Sequence, residues 1–376
     1  MGHLVNSKQE VYQALAERLS QNPIGVVINE PLMEILYRLY TENEARVGGK
    51  FSLAPMTLDE VVAATGLNRD ELATTLDNMA NKGLVVDLPK REGTLYVLSP
   101  MIIGFFEFTF MRIREELNLK EMTELFHRYF SLPEAGMELI GSETKIFQTL
   151  VFESVIPAAI DTEVMDYERA SEAIRQSGGG ALTLCACRHT ASHEGRACSA
   201  PLEVCTSLGE MAEFVVRRGF GKKASVDELL RVLDRTQKLG LVHLADNVLR
   251  QPGYICHCCG CCCGALRPTR EFGAFFTHPS NFLSVVVDDE CADCGLCAER
   301  CPVRAIVMTE GNGGPGKPKI DERRCIGCGV CADACPNEAL RMNRRAVIHT
   351  PPANKVEQLT RIAKEKGRTY TGIGPL

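Results

Sequence analysis

Apolar positions in the first hundred residues recur with helical spacing and then switch to alternation. Residues 56–65 read as a short helix opened by Thr57, with Glu60 three residues on to complete a capping box. Gly66-Leu67-Asn68 turns the chain, and residues 69–82 predict a second helix whose Leu72, Leu76 and Met79 share one face. Gly83 ends it, and Leu84-Val85-Val86 and Leu95-Tyr96-Val97-Leu98 flank Pro89-Lys90-Arg91-Glu92-Gly93 as a hairpin with a charged tip. From Met101 to about Gln176 the spacing is again mostly helical, and Phe105, Phe106, Phe108, Phe110, Leu125, Phe126, Tyr129 and Phe130 predict core packing. Pro133 and Pro157 interrupt this stretch, and Ser177-Gly178-Gly179-Gly180 is expected to divide it from the cysteine-rich segment beyond. Residues 208–218, 225–238 and 240–244 predict a further helical unit, with Ser225 and Glu228 as a second capping box. Residues 282–287, 304–308, 319–320 and 346–348 read as small strands.

A chain of 376 residues with 45% apolar content supports two or three cores. The expected fold class is α+β multidomain: an N-terminal unit over 1–100, a helical connector over 101–177, a cysteine-rich domain over 178–276, a small duplicated domain over 282–349 and a tail over 350–376. Eighteen cysteines change the picture, because the first hundred residues contain none. A polar start, residues 1–10, offers no secretory leader, so a reducing, low-oxygen, cytoplasmic compartment is expected, where thiolates stay available to metal. The run Met101-Ile102-Ile103-Gly104-Phe105-Phe106 stops at Glu107, too short to span a bilayer. A net charge of −6 gives no general reason to expect nucleic acid or acidic lipid.

Near the C-terminus, Cys291-Cys294-Cys297-Cys301-Pro302 and Cys325-Cys328-Cys331-Cys335-Pro336 repeat the spacing C-x2-C-x2-C-x3-C-P. Structural zinc also uses C-x2-C, but a tetrahedral ion gives no reason for the third close thiolate or the proline. The two runs closely resemble bacterial two-cluster ferredoxins, which implies two 4Fe–4S cubanes. In that family the fourth cysteine of each run crosses to the other cluster. The resemblance therefore implies one set of Cys291, Cys294, Cys297 and Cys335, and another of Cys325, Cys328, Cys331 and Cys301. Residues 311–318, rich in glycine and proline, are expected as an added surface loop.

The middle of the chain carries two more islands. Cys185-Ala186-Cys187-Arg188-His189 is followed by Cys198 and Cys205, and later by Cys256-His257-Cys258-Cys259-Gly260-Cys261-Cys262-Cys263-Gly264. Thiolates this crowded repel one another unless a cation neutralises them, so one or two further iron–sulfur clusters are expected. Cys185, Cys187, Cys198 and Cys205 make one four-thiolate set, and four of the six cysteines from 256 to 263 make another. The spacing leaves open a regular cubane, an exposed cluster with an open iron, or a cluster sharing ligands from both islands. Gly253, Gly260 and Gly264 would let amide N–H groups approach sulfur, and Arg188, His189, His193 and His257 supply nearby protons or charge. The layout resembles cysteine-rich ferredoxin-associated proteins of anaerobes with CxCR and CCxCCC motifs. Cys258-Cys259-Gly260 is also similar to the CCG motif of heterodisulfide-reductase-type subunits, but no second CCG module follows.

The N-terminal order of helix, turn, helix and hairpin looks like a winged helix. Its presumed reading helix carries Asp70, Glu71 and Asp77 against Arg69 and Lys82, a poor face for phosphates, so docking is expected rather than nucleic-acid binding. These features together predict an electron-transfer protein of anaerobic metabolism with a redox-protein or flavoprotein partner. A reductase reading places a small substrate at an open iron, with His189, His193 or His257 delivering a proton. A third reading is a redox-responsive winged-helix regulator.

Overall fold

The computed structural model describes residues 2–311 and 314–370. The chain opens with helices α1 (Gly2–Ser20), α2 (Glu30–Leu39) and α3 (Glu42–Gly48). Strand β1 (Met56–Thr57) precedes α4 (Leu58–Thr65) and α5 (Arg69–Lys82), and β2 (Val85–Lys90) and β3 (Gly93–Leu98) form a hairpin. Thr57 caps α4 with Glu60 in a full capping box, as its sequence requires, while Met56 and Thr57 themselves pair with Tyr96 and Leu95 as a short strand. The hairpin strands run further than the apolar residues alone indicate. Pro89 lies in the ladder opposite Thr94, leaving only Arg91 and Glu92 at the turn.

Residues 101–140 do not stand apart from this unit. Helices α6 (Phe106–Phe110), α7 (Leu119–Phe130) and α8 (Pro133–Ile140) follow. Phe105, Phe106, Phe110, Leu125, Phe126 and Tyr129 join Leu15, Leu36, Leu72 and Leu76 in one core, so the aromatic run is core packing. Phe108 points the other way, toward Phe214 and Phe220 of the next region, at ring separations of 5.3 and 5.0 Å.

The centre of the molecule is a seven-stranded sheet that crosses the expected glycine boundary. Its members are β4 (Phe147–Leu150), β5 (Gly180–Leu184), β6 (Glu203–Leu208), β7 (Gly221–Ala224), β8 (Val242–Asp246), β9 (Tyr254–Cys258) and β10 (Thr277–His278). The spatial order is β10-β4-β8-β9-β6-β5-β7. Between the strands lie α9 (Ala170–Ser177), α10 (Ala186–His193), α11 (Gly209–Arg217), α12 (Val226–Lys238) and α13 (Arg267–Phe272). Two expectations fail in this sheet. Residues 147–150 and 242–246 have helical local spacing, but pairing with each other, Phe147 opposite Asp246, buries both as strands, a long-range fact invisible to local periodicity. Gly178 serves as the left-handed C-cap of α9 and Gly180 already belongs to β5, so the glycine run lies inside the domain. Leu182, Leu229, Ala245 and Ile255 pack on one face of the sheet. Ala181 meets Phe214 and Val215 of α11 on the other.

The last part contains β11 (Phe282–Val286), α14 (Leu296–Arg300), β12 (Ile306–Gly311), β13 (Gly314–Ile320), α15 (Val330–Asp333) and β14 (Leu340–Arg344). β11 pairs with β14 and β12 with β13. Residues 346–348 are not the expected strand; the partner of β11 lies earlier, at Leu340–Arg344, and Val347 is exposed. The added loop is the end of a β-hairpin, and its Asn312 and Gly313 lie outside the described residues. The two halves share backbone conformation as well as sequence: left-handed φ recurs at the matching pairs Asp293 and Gly327, Gly295 and Gly329, Arg304 and Glu338. The tail is not loose either. α16 (Lys355–Glu365) places the buried Gln358 amide on the carbonyls of Ile146 and Asn247, at 2.9 and 3.3 Å.

The N-terminal unit is tied to the sheet through charge as well as aromatics. Asp87 of β2 accepts from Arg218 at 2.8 Å and lies 3.2 Å from Arg217, and Arg218 also reaches Asp77 and Asn81 on α5. Burial alone would raise the Asp87 carboxyl, but Arg218 and Arg217 outweigh it and hold it below its ordinary value. Arg218→Ala leaves this buried carboxylate short of a partner and should cost roughly 3 kcal/mol of stability at neutral pH. Because the folded value is depressed, that contribution is complete above the ordinary carboxylate range and fades as pH falls through the folded value. Denaturation of wild type and variant followed by circular dichroism should therefore differ at pH 7 and converge in acid.

Candidate metal centres

The sheet register brings the two cysteine islands together. β6 and β9 pair Thr206 with Ile255, so continuing the antiparallel register sets Cys205 opposite Cys256. Strand alternation puts Cys256 and Cys258 on one face and His257 on the other. Cys185 follows β5, with its N–H bonded to the Leu202 carbonyl, and α10 then carries Cys187 and Arg188.

The ten cysteines divide into four and six, and each set draws on both islands. Cys198, Cys259, Cys261 and Cys262 have sulfurs all within 4.8 Å of one another. Separations of 3.6 Å for Cys198–Cys259, 3.7 Å for Cys261–Cys262 and 3.9 Å for Cys262–Cys198 are close to the ~3.8 Å edge of a tetrahedron with metal–sulfur bonds of about 2.3 Å. Among the described residues this is the one group of three or more His, Cys, Asp or Glu ligand atoms so gathered. It is a four-cysteine metal-binding site, with a donor set that suits iron or zinc. Its edge is open: Cys261 is exposed while Cys262 is buried. Burial works to raise the Cys198 thiol, but the Ala200 N–H, Cys259, Arg188 and Cys261 together pull it down to about 7.

The remaining six, Cys185, Cys187, Cys205, Cys256, Cys258 and Cys263, stand beside one another in an open series. Cys185 contacts Cys205, Cys205 contacts Cys256, Cys256 contacts Cys258, Cys258 lies 3.3 Å from Cys263, and Cys263 contacts Cys187. Their acidities are opposed: Cys205 and Cys258 hold Cys256 down to about 6, while the thiols of Cys185, Cys187 and Cys258 are pushed up. Six like groups this close cannot all ionise alone. The expected grouping of Cys185 and Cys187 with Cys198 is thus replaced: Cys198 leaves the first island for the loop after β9.

Arg188 lies between the two sets. It is 2% exposed, donates to the Pro201 carbonyl at 2.6 Å and to that of His257 at 3.3 Å, and lies 3.7 Å from the Cys259 sulfur. Burial opposes its charge, but Cys185 in one set and Cys259 in the other outweigh that and hold it protonated. The motif Cys-Ala-Cys-Arg is the sequence signal for this residue.

The histidines are placed elsewhere. The His257 ring meets Thr236 at 2.8 Å and His243 on the face away from the cysteines, and burial first, then His243 and Arg188, push it far down, so it stays neutral. His189 bonds the Phe110 carbonyl at 2.8 Å, and His193 packs against His189 and Phe110. Their contacts are those of packed side chains, which is a poor setting for the proton donors of the reductase expectation.

In the duplicated domain, Cys301, Cys325, Cys328 and Cys331 line one enclosed pocket with Val303, Ile306 and Ile326. The Ala305 N–H donates to the Cys301 sulfur at 3.1 Å, and Cys331 lies 3.3 Å from the Ser284 hydroxyl, contacts of the kind that tune cluster thiolates. Gly327 is required twice over: its φ is +69°, and a Cβ there would lie 2.2 Å from the Phe282 carbonyl. Of the other run, Cys297 is buried, Cys291 and Cys335 are half-buried and Cys294 is exposed.

This domain packs directly on the cysteine loop. A Cβ on Gly260 would lie 2.0 Å from the Pro302 carbonyl, so the loop bearing Cys259, Cys261 and Cys262 touches the residue after Cys301. Phe152 N–H also bonds the Cys328 carbonyl at 3.0 Å.

Residues 290–339 match the 4Fe-4S dicluster domain family. The chain thus carries a dicluster iron–sulfur domain and a separate four-cysteine metal site. No curated protein and no solved structure matches the chain. None of the described helices is long and apolar enough to cross a membrane.

Gly260→Ala should force the loop off Pro302 by an ångström or more, because the obstructing atom is backbone. Metal analysis should then show loss of the ion at Cys198, Cys259, Cys261 and Cys262, with the dicluster absorbance retained.

Proposed function

We propose that the protein is an electron carrier in which the dicluster domain exchanges electrons between an external redox protein or flavoprotein and the cysteine-rich domain. When bound, the clusters supply one-electron redox chemistry; the chain holds them, excludes water and fixes their order. The observation that carries this reading is the backbone contact of Gly260 with Pro302, which leaves no room for a side chain between the dicluster ligand loop and the loop of the four-cysteine site. Burial supports a direction. Cys294 is exposed and suits the partner-facing side, while Cys301, Cys328 and Cys331 are buried on the side that meets Phe152 and Gly260. On this reading Cys291, Cys294, Cys297 and Cys335 hold one cubane and Cys325, Cys328, Cys331 and Cys301 the other.

A docking role for the winged-helix-like region follows from what its charged groups already touch. Lys90 of the wing pairs with Glu210, Asp77 and Asn81 of α5 are held by Arg218, and Val86 and Leu88 pack with Phe214 and Phe220. A helix and wing engaged in this way favour an internal scaffold over a reader of DNA. The four thiols of the tetrahedral site and the packed histidines favour the carrier over a reductase with an open iron.

Anaerobically purified full-length protein should hold about eight iron and eight sulfide in the dicluster domain, accept electrons from dithionite and return them to an oxidised dye. Cys301→Ser should alter the paramagnetic signal of the cluster held by Cys325, Cys328 and Cys331, and Cys335→Ser the other. A loaded protein that dithionite does not reduce would sink the carrier reading.

A further inference from the structure

We propose that Cys258 and Cys263 are a redox dithiol that opens and closes as a disulfide, storing an electron pair beside the dicluster domain. The two sulfurs lie 3.3 Å apart, inside the ~3.5–4.0 Å of ordinary side-chain contact, and a bond of about 2.05 Å needs them only a little over an ångström closer. Four residues separate them, and the Cys263 N–H reaches back to the Cys259 carbonyl at 3.3 Å, so the loop after β9 folds the pair together. Beyond Cys263 the backbone has room to yield: a Cβ on Gly264 would meet nothing within 4 Å.

Metal ligation does not claim this pair. Cys198, Cys259, Cys261 and Cys262 already supply the four donors of one tetrahedral ion. Among the described residues no third Cys, His, Asp or Glu donor lies within 4.8 Å of both the Cys258 and the Cys263 sulfur. Two thiols are half of a tetrahedral set, but they are the whole of a disulfide. Cys258 is 6% and Cys263 5% exposed, so neither reaches a large external substrate, and electrons have to come through the protein.

The route is short. Gly260, inside the loop that the pair brackets, sits so close to Pro302 that a Cβ would lie 2.0 Å from its carbonyl oxygen, and Pro302 follows Cys301 of the dicluster domain. Cys258 and Cys263 also share one buried core with Cys297, Cys301, Cys328 and Cys331. A cubane passes one electron at a time and a disulfide takes two, so a domain with two cubanes matches this couple in number. In the reducing direction two reduced cubanes give up one electron each, the S–S bond breaks, and Cys258 and Cys263 each take one proton from water. The reverse step forms the S–S bond, releases both protons and returns one electron to each cubane. This deepens the carrier reading and rests on it for the supply of electrons: the cysteine-rich domain becomes the place where single electrons are collected as a pair.

The test uses the full-length protein purified without oxygen. Protein oxidised with a dye, unfolded in excess alkylating agent and digested should yield a peptide cross-linked through Cys258 and Cys263. After reduction with reduced methyl viologen, both cysteines should instead carry the alkyl label. Reductive titration of Cys263→Ser should consume about two electrons fewer than wild type, with the paramagnetic signals of the reduced dicluster unchanged. Those signals report a folded chain; if the variant does not fold, Cys258→Ser and the wild-type peptide map decide. Alkylation of both cysteines in fully dye-oxidised protein would overturn the proposal. So would metal beyond that of the dicluster and the four-cysteine site that disappears in Cys263→Ser, because the pair would then be ligands. A dicluster that viologen reduces while the cross-link persists counts against the dithiol alone. A cross-link that forms beside a dicluster that takes up no electrons supports the dithiol and counts against the carrier reading alone.

Discussion

Repulsion between buried thiolates is the constraint on which this structure turns. Ten cysteines converge around the β6–β9 pair in the middle of the central sheet, and Arg188 is the guanidinium placed between their two sets. Water is largely excluded from Cys185, Cys258, Cys262 and Cys263, so screening cannot help. The thiols of Cys185, Cys187 and Cys258 are accordingly pushed up and hold their protons, whereas Cys198, Cys259, Cys261 and Cys262 are gathered closely enough for a bound metal to carry the balancing charge. β6 and β9 provide the fixed positions, because hydrogen-bonded register sets the spacing of Cys205, Cys256 and Cys258 before any metal arrives. The loop after β9 supplies Cys259, Cys261, Cys262 and Cys263, with Gly260 opening its backbone for close contact with Pro302.

That same register decides which groups are kept away. His257 sits between Cys256 and Cys258 in sequence, yet the pleat sends its imidazole to the opposite layer, against Thr236 and His243. Burial holds both rings neutral there, His243 down to about 3, and so no added positive charge competes with Arg188. A proton-delivery role for these histidines would need the sheet to be turned inside out.

Three docking contacts make the separate parts act as one body. Gly260 on Pro302 joins the cysteine loop to the dicluster domain, Asp87 with Arg217 and Arg218 joins the N-terminal unit to α11, and Gln358 of α16 joins the tail to β4 and β8. Each uses backbone or buried polar groups, which specify position more sharply than apolar contact does. For electron transfer that precision matters, since centres held at fixed separation need no diffusion between domains.

Some of this is legible in the chain. Thr57 with Glu60 and Ser225 with Glu228 announce helix starts because a cap is a local hydrogen bond between residues three apart. The two C-x2-C-x2-C-x3-C-P runs announce a dicluster domain because the spacing that marks the family is contained in each short run. Cysteine crowding announces metal because thiolates repel whatever the fold. The tertiary structure alone decides how the ten middle cysteines are shared. Cys198 joins Cys259, Cys261 and Cys262 rather than its neighbours Cys185 and Cys187, since the pairing of β6 with β9 brings together segments far apart in the chain. Long-range pairing of the same kind makes strands of residues 147–150 and 242–246, whose local spacing reads as helix. Local chemistry is written in local sequence, whereas register is a property of two segments at once, and no pattern within either one contains it.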